Sequence, residues 1–493
     1  MTTDSKTDIY AVFIEKCSHM CKPLGMMAMI TQQSWMFVTS FEKLRKKMQA
    51  SDYVNMIHLG ARAFEEIGGE VVQTTSFVMR HTRIAGYKGT YCRLIAPNSQ
   101  CGKELFFLEK KERYSIEQEN YPKIPGSPIA YWCSKEMYSI FDKSIQYGLV
   151  ADGRRGTVTG NDERFLKLWH EIEKDKFSIF APNSDKWVPI NKGGEYRKWY
   201  GNNWFVLDWA NDGFEIKNFK DEKGKLRSRP QNTSYFFREG ITWTYITSQQ
   251  KCFRYYPEGF AFAGVGPGLF PHNKEHIYYM LAYCNSIVYK TIMVMMGATT
   301  ISLESGEVER SPIIIDLDRK DEIDSLVKEN IAISKEDWDT FEISWNFRIH
   351  PLISMITKEC NRFERGNISL FECYRIWESE CTERFKQLKT NEEKLNSIFI
   401  DIYGLKNELT PDVEDKDISV SLADKKRDIK SLISYAVGCM FGRYSLDVEG
   451  LAFAGGKWDD SKYVTFSADK DSIIPICDDE YFEDDIANRF VRF

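Results

Sequence analysis

The chain has 493 residues, 43% hydrophobic and 28% charged, with a net charge of −6. Those proportions argue against a disordered chain and against one coated in basic charge, although nucleic-acid binding needs only a local basic face. Twelve cysteines without a CxxC pair argue against a disulfide scaffold or a zinc ribbon, and point to a reducing, cytoplasmic compartment.

The N-terminus, MTTDSKTDIY, lacks the basic and then apolar order of a signal peptide. From Asp8 to about residue 22, Ile9, Val12, Phe13 and Met20 recur at helical spacing, and KPLG ends the helix. MMAMIT follows as a strand. Its continuous hydrophobicity predicts cover on both faces, as in a parallel α/β sheet. Thr39 and Glu42 have the spacing of a capping box, which predicts a helix from near Ser40. YVNMIHL and VVQTTSFVMR are two further strands, joined by GARAFEEIGGE. Three strands are too few to stand alone, so residues 1–85 are expected to be part of a larger α/β sheet.

From residue 86 to 320 the pattern changes to short strand-like pieces and many turns, with Trp, Tyr, Gly and Arg interleaved and no repeat period. A mixed α/β, β-rich domain is expected. Within it, IYYMLAYCNSIVYKTIMVMMGATTI carries Asn285 and Lys290, which predicts a buried core helix and no membrane span. Residues 321–493 read as helical. LFECYRIWESECTERFKQLKTNEEKLNSIFIDIYGL is expected to be a helical pair broken near Thr390, followed beyond Pro411 by DVEDKDISV and DIKSLISYAVGCMFGRYS as a further small unit. The acidic end is a solvated linker, and DDEYFEDDIANRFVRF stops in the start of an amphipathic helix. Both ends of the chain are expected to cut through structure.

HNKEH at His272 to His276 has the spacing of a zinc-protease helix, but a surface pair is the simpler reading. Cys17, His19 and Cys21 cannot share one helical face. No metal is expected. Cations concentrate between Lys186 and Arg254, where Lys192, Arg197, Lys198 and Arg238 interleave with Trp199, Tyr200 and Trp243. That texture suits a DNA-facing surface, with phosphate contacts positioning the duplex and a few side chains reading bases. For any single lysine, a solvated charge is the commoner use.

DIYAVF, KPLGMMAMITQ and SWMFVTSFEKLRKKM resemble consecutive segments of γ-class adenine-N6 DNA methyltransferases. Longer stretches, among them HLGARAFEEIGGEVVQTTSFVMR, NKGGEYRKWYGNNWFVLDWANDG and YAVGCMFGRYSLDVEGLAFAGG, resemble the PglX methyltransferases of BREX phage-exclusion systems across nearly the whole chain. The resemblance implies three regions. Residues 1–85 would be the second half of a Rossmann-like catalytic sheet, 86–320 a TaqI-like target-recognition domain, and 321–493 a truncated helical C-terminal region. It implies S-adenosylmethionine as cofactor and double-stranded DNA as partner, with adenine flipped out of the duplex.

The family's cofactor glycines and its Asn/Asp-Pro-Pro-Tyr loop have no counterpart in this sequence. A cofactor site is therefore expected only with an N-terminal methyltransferase half in trans, and other BREX components are further implied partners. The resemblance assigns Phe64 to stacking on the flipped base, where packing under its own loop is the alternative. It assigns Tyr10 and Phe13 to the border of the cofactor's adenine, with Phe13 equally a core residue by its spacing. GRRGTVTGNDERFL resembles a recurring loop in which Thr159, Gly160 and Asn161 turn the chain while Arg154 and Arg155 approach phosphate or a guanine edge, a structural turn being the alternative. Three roles stay open: one polypeptide of a split methyltransferase, a non-catalytic specificity subunit, or an inactive gene fragment.

Overall fold

The computed structural model describes residues 8–64, 72–173, 186–297, 302–356, 369–479 and 481–493. They gather into two compact units. The first comprises Met1–Leu149, Val288–Ile314 and Asp401–Leu409, and the second comprises the rest. No described helix is long and apolar enough to cross a membrane. The architecture is mixed α/β.

In the first unit, strands β1 (Met26–Gln32), β2 (Asp52–Gly60), β3 (Thr74–Arg80), β4 (Lys88–Arg93) and β5 (Arg113–Glu117) form one sheet in the order β1-β3-β2-β4-β5. β3 runs antiparallel between β1 and β2, which share a direction, and β4 is parallel to β2. The sheet therefore continues beyond residue 85, between β3 and β4. Its core stacks Trp35 on Tyr53 and sets it edge-on to Phe77, with ring centroids 6.3 and 5.2 Å apart. Arg45, on helix α2 (Glu42–Met48), is buried and donates to the carbonyls of Trp35, Val38 and Gly126 at 2.7–3.0 Å. Desolvation lowers its pKa to about 10, and the carbonyl contacts replace the water it gives up. The expected capping box does not form. Thr39 Oγ1 accepts from Arg310 at 3.1 Å, and Glu42 pairs with Lys46 at 2.7 Å.

Two expectations are overturned at this unit's edge. Helix α1 (Ile9–Met20) buries Ala11, Ile14 and Glu15, whereas Ile9, Val12, Phe13 and Met20, which read as its core face, are exposed. Continuous hydrophobicity in β1 predicted two covered faces, yet Met26, Ala28 and Ile30 are exposed and alternate with better-covered neighbours. Among the described residues nothing covers these side chains, and nothing pairs with the outer edge of β1. Helices α3 (Gln100–Leu108) and α4 (Lys135–Lys143) and the short ladder of β6 (Ile145–Gln146) with β15 (Pro312–Ile313) also belong to this unit.

The second unit holds two four-stranded sheets. Strands β7 (Ala151–Arg154), β8 (Leu166–Leu168), β9 (Trp187–Asn191), β10 (Phe205–Asp208), β11 (Gly240–Trp243), β12 (Phe253–Tyr256), β13 (Ala261–Phe262) and β14 (Gly268–Pro271) pair in the orders β13-β9-β10-β8 and β12-β11-β14-β7. A core that includes Val188, Ile190, Leu207, Trp209, Phe262 and Phe270 binds them. Helices α5 (Asp162–Phe165) and α6 (Ala210–Lys217) lie between strands in sequence. The single core helix expected after residue 276 is two buried helices parted at Ser286, whose hydroxyl donates to Tyr283 O at 2.7 Å: α7 (Ile277–Asn285) belongs to this unit, and α8 (Ile287–Met295) belongs from Val288 onward to the first. Residues 298–301, at the end of that stretch, lie outside the described residues.

After the short α9 (Ser305–Arg310) come α10 (Lys320–Asp339), α11 (Leu370–Ile402), α12 (Lys425–Met440) and α13 (Ile486–Arg492). α11 is one helix of 33 residues, not a pair broken at Thr390. Asn391 and Glu392, which follow Thr390, are buried and bonded. Asn391 Nδ2 donates to Glu329 and Asn330 at 3.0 and 2.9 Å, and such contacts hold the helix through the expected break.

Candidate nucleic-acid interface

The segment after β7 is shaped by two glycines. A Cβ at Gly156 would lie 1.9 Å from Phe262 O, so only glycine lets these backbones touch. Gly160 has φ +74°, and a Cβ there would meet the Arg227 backbone at 2.8 Å. Val158 and Arg229 exchange backbone hydrogen bonds at 3.1 and 2.8 Å. Asn161 then caps α5 by accepting from the Arg164 amide at 3.1 Å. Thr159 is buried and donates to Asp162, which also pairs with Lys192 at 2.7 Å. Partial burial works against the Asp162 carboxylate, but the bonds from Lys192 and Thr159 hold its pKa below the ordinary value.

Arg154 is half-buried, paired with Asp152 at 2.6 Å, and lies 5.1 Å from the centre of the Tyr235 ring. Arg238 lies 4.9 Å from the same ring, and the Tyr235 hydroxyl donates to Asp152 at 2.9 Å. Arg155 donates to Gly264 O at 3.2 Å and packs over Tyr245 at 4.4 Å. These arginines stand at the surface with planes fixed by aromatic rings, an arrangement that can meet phosphates or base edges.

The stretch from Arg197 to Tyr200 is different. Arg197 pairs with Asp337 at 2.9 Å and packs over Trp338 at 5.1 Å. Lys198 is buried and ion-paired to Glu392, whose second oxygen accepts from Trp199 Nε1 at 2.7 Å. Trp199 has a left-handed φ of 69°, held by its amide on Phe253 O at 3.0 Å and by that indole bond. Tyr200 is buried, which pushes its pKa up to about 12, and Trp243 is fully buried beside Phe253. Lys198, Trp199, Tyr200 and Trp243 were expected to face DNA. In this structure they are buried, and Lys198, Trp199 and Tyr200 join the β-rich part of the second unit to α10 and α11, because buried cations and indole N–H groups need partners. Sequence spacing could not have found those partners, since Glu392 lies 194 residues from Lys198.

In the first unit Phe64 is 42% exposed in the segment after β2, and residues 65–71 lie outside the described residues. Tyr10 packs on Phe41 with centroids 5.9 Å apart, and desolvation raises its pKa to about 12. Phe13 is 53% exposed. His272 Nε2 lies 3.4 Å from Asp152, and among the described residues no group of three or more His, Cys, Asp or Glu is placed to hold a metal ion.

Residues 1–64 match the Eco57I restriction-modification methylase family. Along 99% of its length the chain is 43% identical to the adenine-specific methyltransferase PglX of Lacticaseibacillus casei (strain Zhang), over 504 residues. In sequence the chain is similar to PglX. It is also 35% identical over 515 residues to the adenine-specific methyltransferase BrxX of Escherichia coli O9:H4 (strain HS), again along 99% of its length. It spans 41% of each of these relatives. Among solved structures, the Type IIL restriction-modification enzyme MmeI in complex with DNA aligns with 82% of this chain and 50% of its own, at 10% identity and a TM-score of 0.46, too loose a likeness to carry an argument.

Proposed function

We propose that this chain is the C-terminal portion of a cytoplasmic, site-specific adenine-N6 DNA methyltransferase of a BREX phage-defence system, and that it supplies target recognition and the stacking wall for a flipped adenine. The observation that carries this reading is 43% identity to PglX along 99% of the chain. Methyl transfer from S-adenosylmethionine would need an N-terminal half bearing the cofactor glycines and the Asn-Pro-Pro-Tyr loop, and this chain alone would transfer none. The exposed apolar side of α1 and the unpaired edge of β1 support a partner there, because an open edge flanked by apolar side chains is a template for another chain. On this reading residues 1–85, extended by β4 and β5, close the catalytic sheet in Rossmann-like fashion, the remainder of 86–320 recognises DNA, and 321–493 brace that region and offer surface to other BREX components. Phe64, exposed beyond β2, would present a π face to the extruded base, worth about 1–3 kcal/mol.

The test is to mix the chain with a polypeptide carrying the missing half and to follow labelled methyl transfer from S-adenosylmethionine to duplex DNA. Neither polypeptide alone should transfer methyl, and the mixture should. Inactivity at saturating partner, with duplex binding by this chain intact, would rule out the split enzyme in favour of a specificity subunit. Duplex binding no stronger than that of an unrelated acidic protein at low salt would end the recognition assignment itself.

A further inference from the structure

Many cations around the β-rich part of the second unit are ion-paired. Lys192 has Asp162, Arg164 has Glu215, Arg197 has Asp337 and Lys217 has Asp212. The hairpin that follows α6 instead gathers five that are not, within ten residues. Asp221 and Lys225 close it through Asp221 N–H to Lys225 O at 2.8 Å, Gly224 turns it at φ +76°, and Lys220 bridges Leu226. The Asp221 carboxylate is spent on the turn, accepting from the amides of Lys223 and Lys225 at 3.0 and 2.8 Å. Glu222 is the other acid in the hairpin. Lys220, Lys223, Lys225, Arg227 and Arg229 are all exposed, and among the described residues none has a carboxylate partner.

Their placement is ordered. The Arg229 backbone is bonded to Val158, Ser228 is buried with its hydroxyl on Ile216 O, and Arg227 and Arg229 on either side of it are exposed. In extended chain, residues two apart are spaced about 6.8 Å, about two phosphate steps along one strand of a duplex. Lys225, Arg227 and Arg229 thus follow one another as exposed cations at alternate positions, leading to the segment that carries Arg155 and Gly160.

We infer that this hairpin, residues 219–229, is an arm that grips the phosphate backbone of duplex DNA independently of sequence. The assignment rests on the DNA-binding reading above, but it places backbone contact on side chains distinct from the paired and buried stretch at Arg197–Tyr200. Unpaired exposed cations release counterions when they meet phosphate and have no internal ion pair to break. The buried Lys198 would have to abandon Glu392.

The test measures binding of the full chain to a short random-sequence duplex by fluorescence anisotropy across a salt series. Wild type is compared with Lys225→Gln/Arg227→Gln/Arg229→Gln and with a control, Lys425→Gln/Lys426→Gln/Lys430→Gln, which removes three exposed charges from α12. Thermal melts establish that both variants fold. The arm variant should lose about 2.7 from the slope of log affinity against log salt, so that between about 50 and 200 mM salt its affinity falls about 40-fold less than that of wild type. The control should keep the wild-type slope. An arm variant with an unchanged slope, or equal losses in both variants, overturns the arm while leaving DNA binding standing. Failure of wild type to bind at low salt overturns both.

Discussion

At the scale of single residues, burial decides what the chemical groups can do. His58 is buried between Tyr131 Oη, 3.0 Å from Nδ1, and Gln33 Oε1, 2.6 Å from Nε2. Gln33 in turn donates to Gln73 at 2.5 Å. Desolvation, aided by Arg93 and Lys103, pushes the His58 pKa down to about 3. A histidine depressed in the folded state is neutral there, so its contribution to stability is complete above the unfolded value near 6.5 and is lost as pH falls toward 3. At pH 5 the loss from His58 is about 2 kcal/mol. Urea midpoints measured from pH 7 to 4 should fall more steeply in wild type than in His58→Gln, and parallel profiles would refute the buried, neutral imidazole. His350, also lowered by burial to about 4, adds a similar acid-side slope to both proteins.

Lys198 gives a second prediction at this scale. Its ammonium is paired to Glu392 in the interior, so Lys198→Met strands a buried carboxylate and should cost about 3–5 kcal/mol, read as a lowered melting temperature. A normal melt combined with weakened DNA binding would return Lys198 to the DNA surface. Interleaved cations and aromatics at Arg197–Tyr200 were visible in the sequence. Their direction was not, because the same residue types build both a wet recognition face and a satisfied interior, and distant carboxylates choose between them.

Among the elements, local pattern was legible where periodicity was strong and one side was covered. β2 and β3 run close to their expected spans, and α12 and α13 fall within the stretches read as helical. α11 departed from expectation because Thr390 and Asn391 are weak helix formers, yet Asn391 and Glu392 gain tertiary partners that outweigh weak propensity. If that helix is continuous, Thr390→Pro removes an interior hydrogen bond and clashes with the preceding turn, costing about 3 kcal/mol or more. Circular dichroism should show reduced helicity together with a lower denaturant midpoint, whereas an unchanged midpoint would restore the two-helix reading. α1 departed for the opposite reason. Its apolar positions were correctly recognised as a face, but nothing among the described residues covers that face.

For the whole molecule, the proposed partner should depend on that uncovered surface. Phe13→Asp/Ile30→Lys changes two exposed side chains, at 53% and 60% exposure, and should leave the melt of this chain within about 0.5 kcal/mol of wild type. In the complementation mixture it should raise the concentration of partner needed for half-maximal methyl transfer at least tenfold, about 1.4 kcal/mol of association. An unchanged requirement would move the contact elsewhere on the chain. The sequence by itself determined the similarity to PglX, a mixed α/β architecture and which segments carry excess positive charge, because these follow from residue identity and local order. Only the tertiary structure decided which cations are free. Whether a charge is available to a ligand depends on whether a carboxylate hundreds of residues away has already folded against it, and that is why Lys198 turns inward while Arg227 and Arg229 remain open.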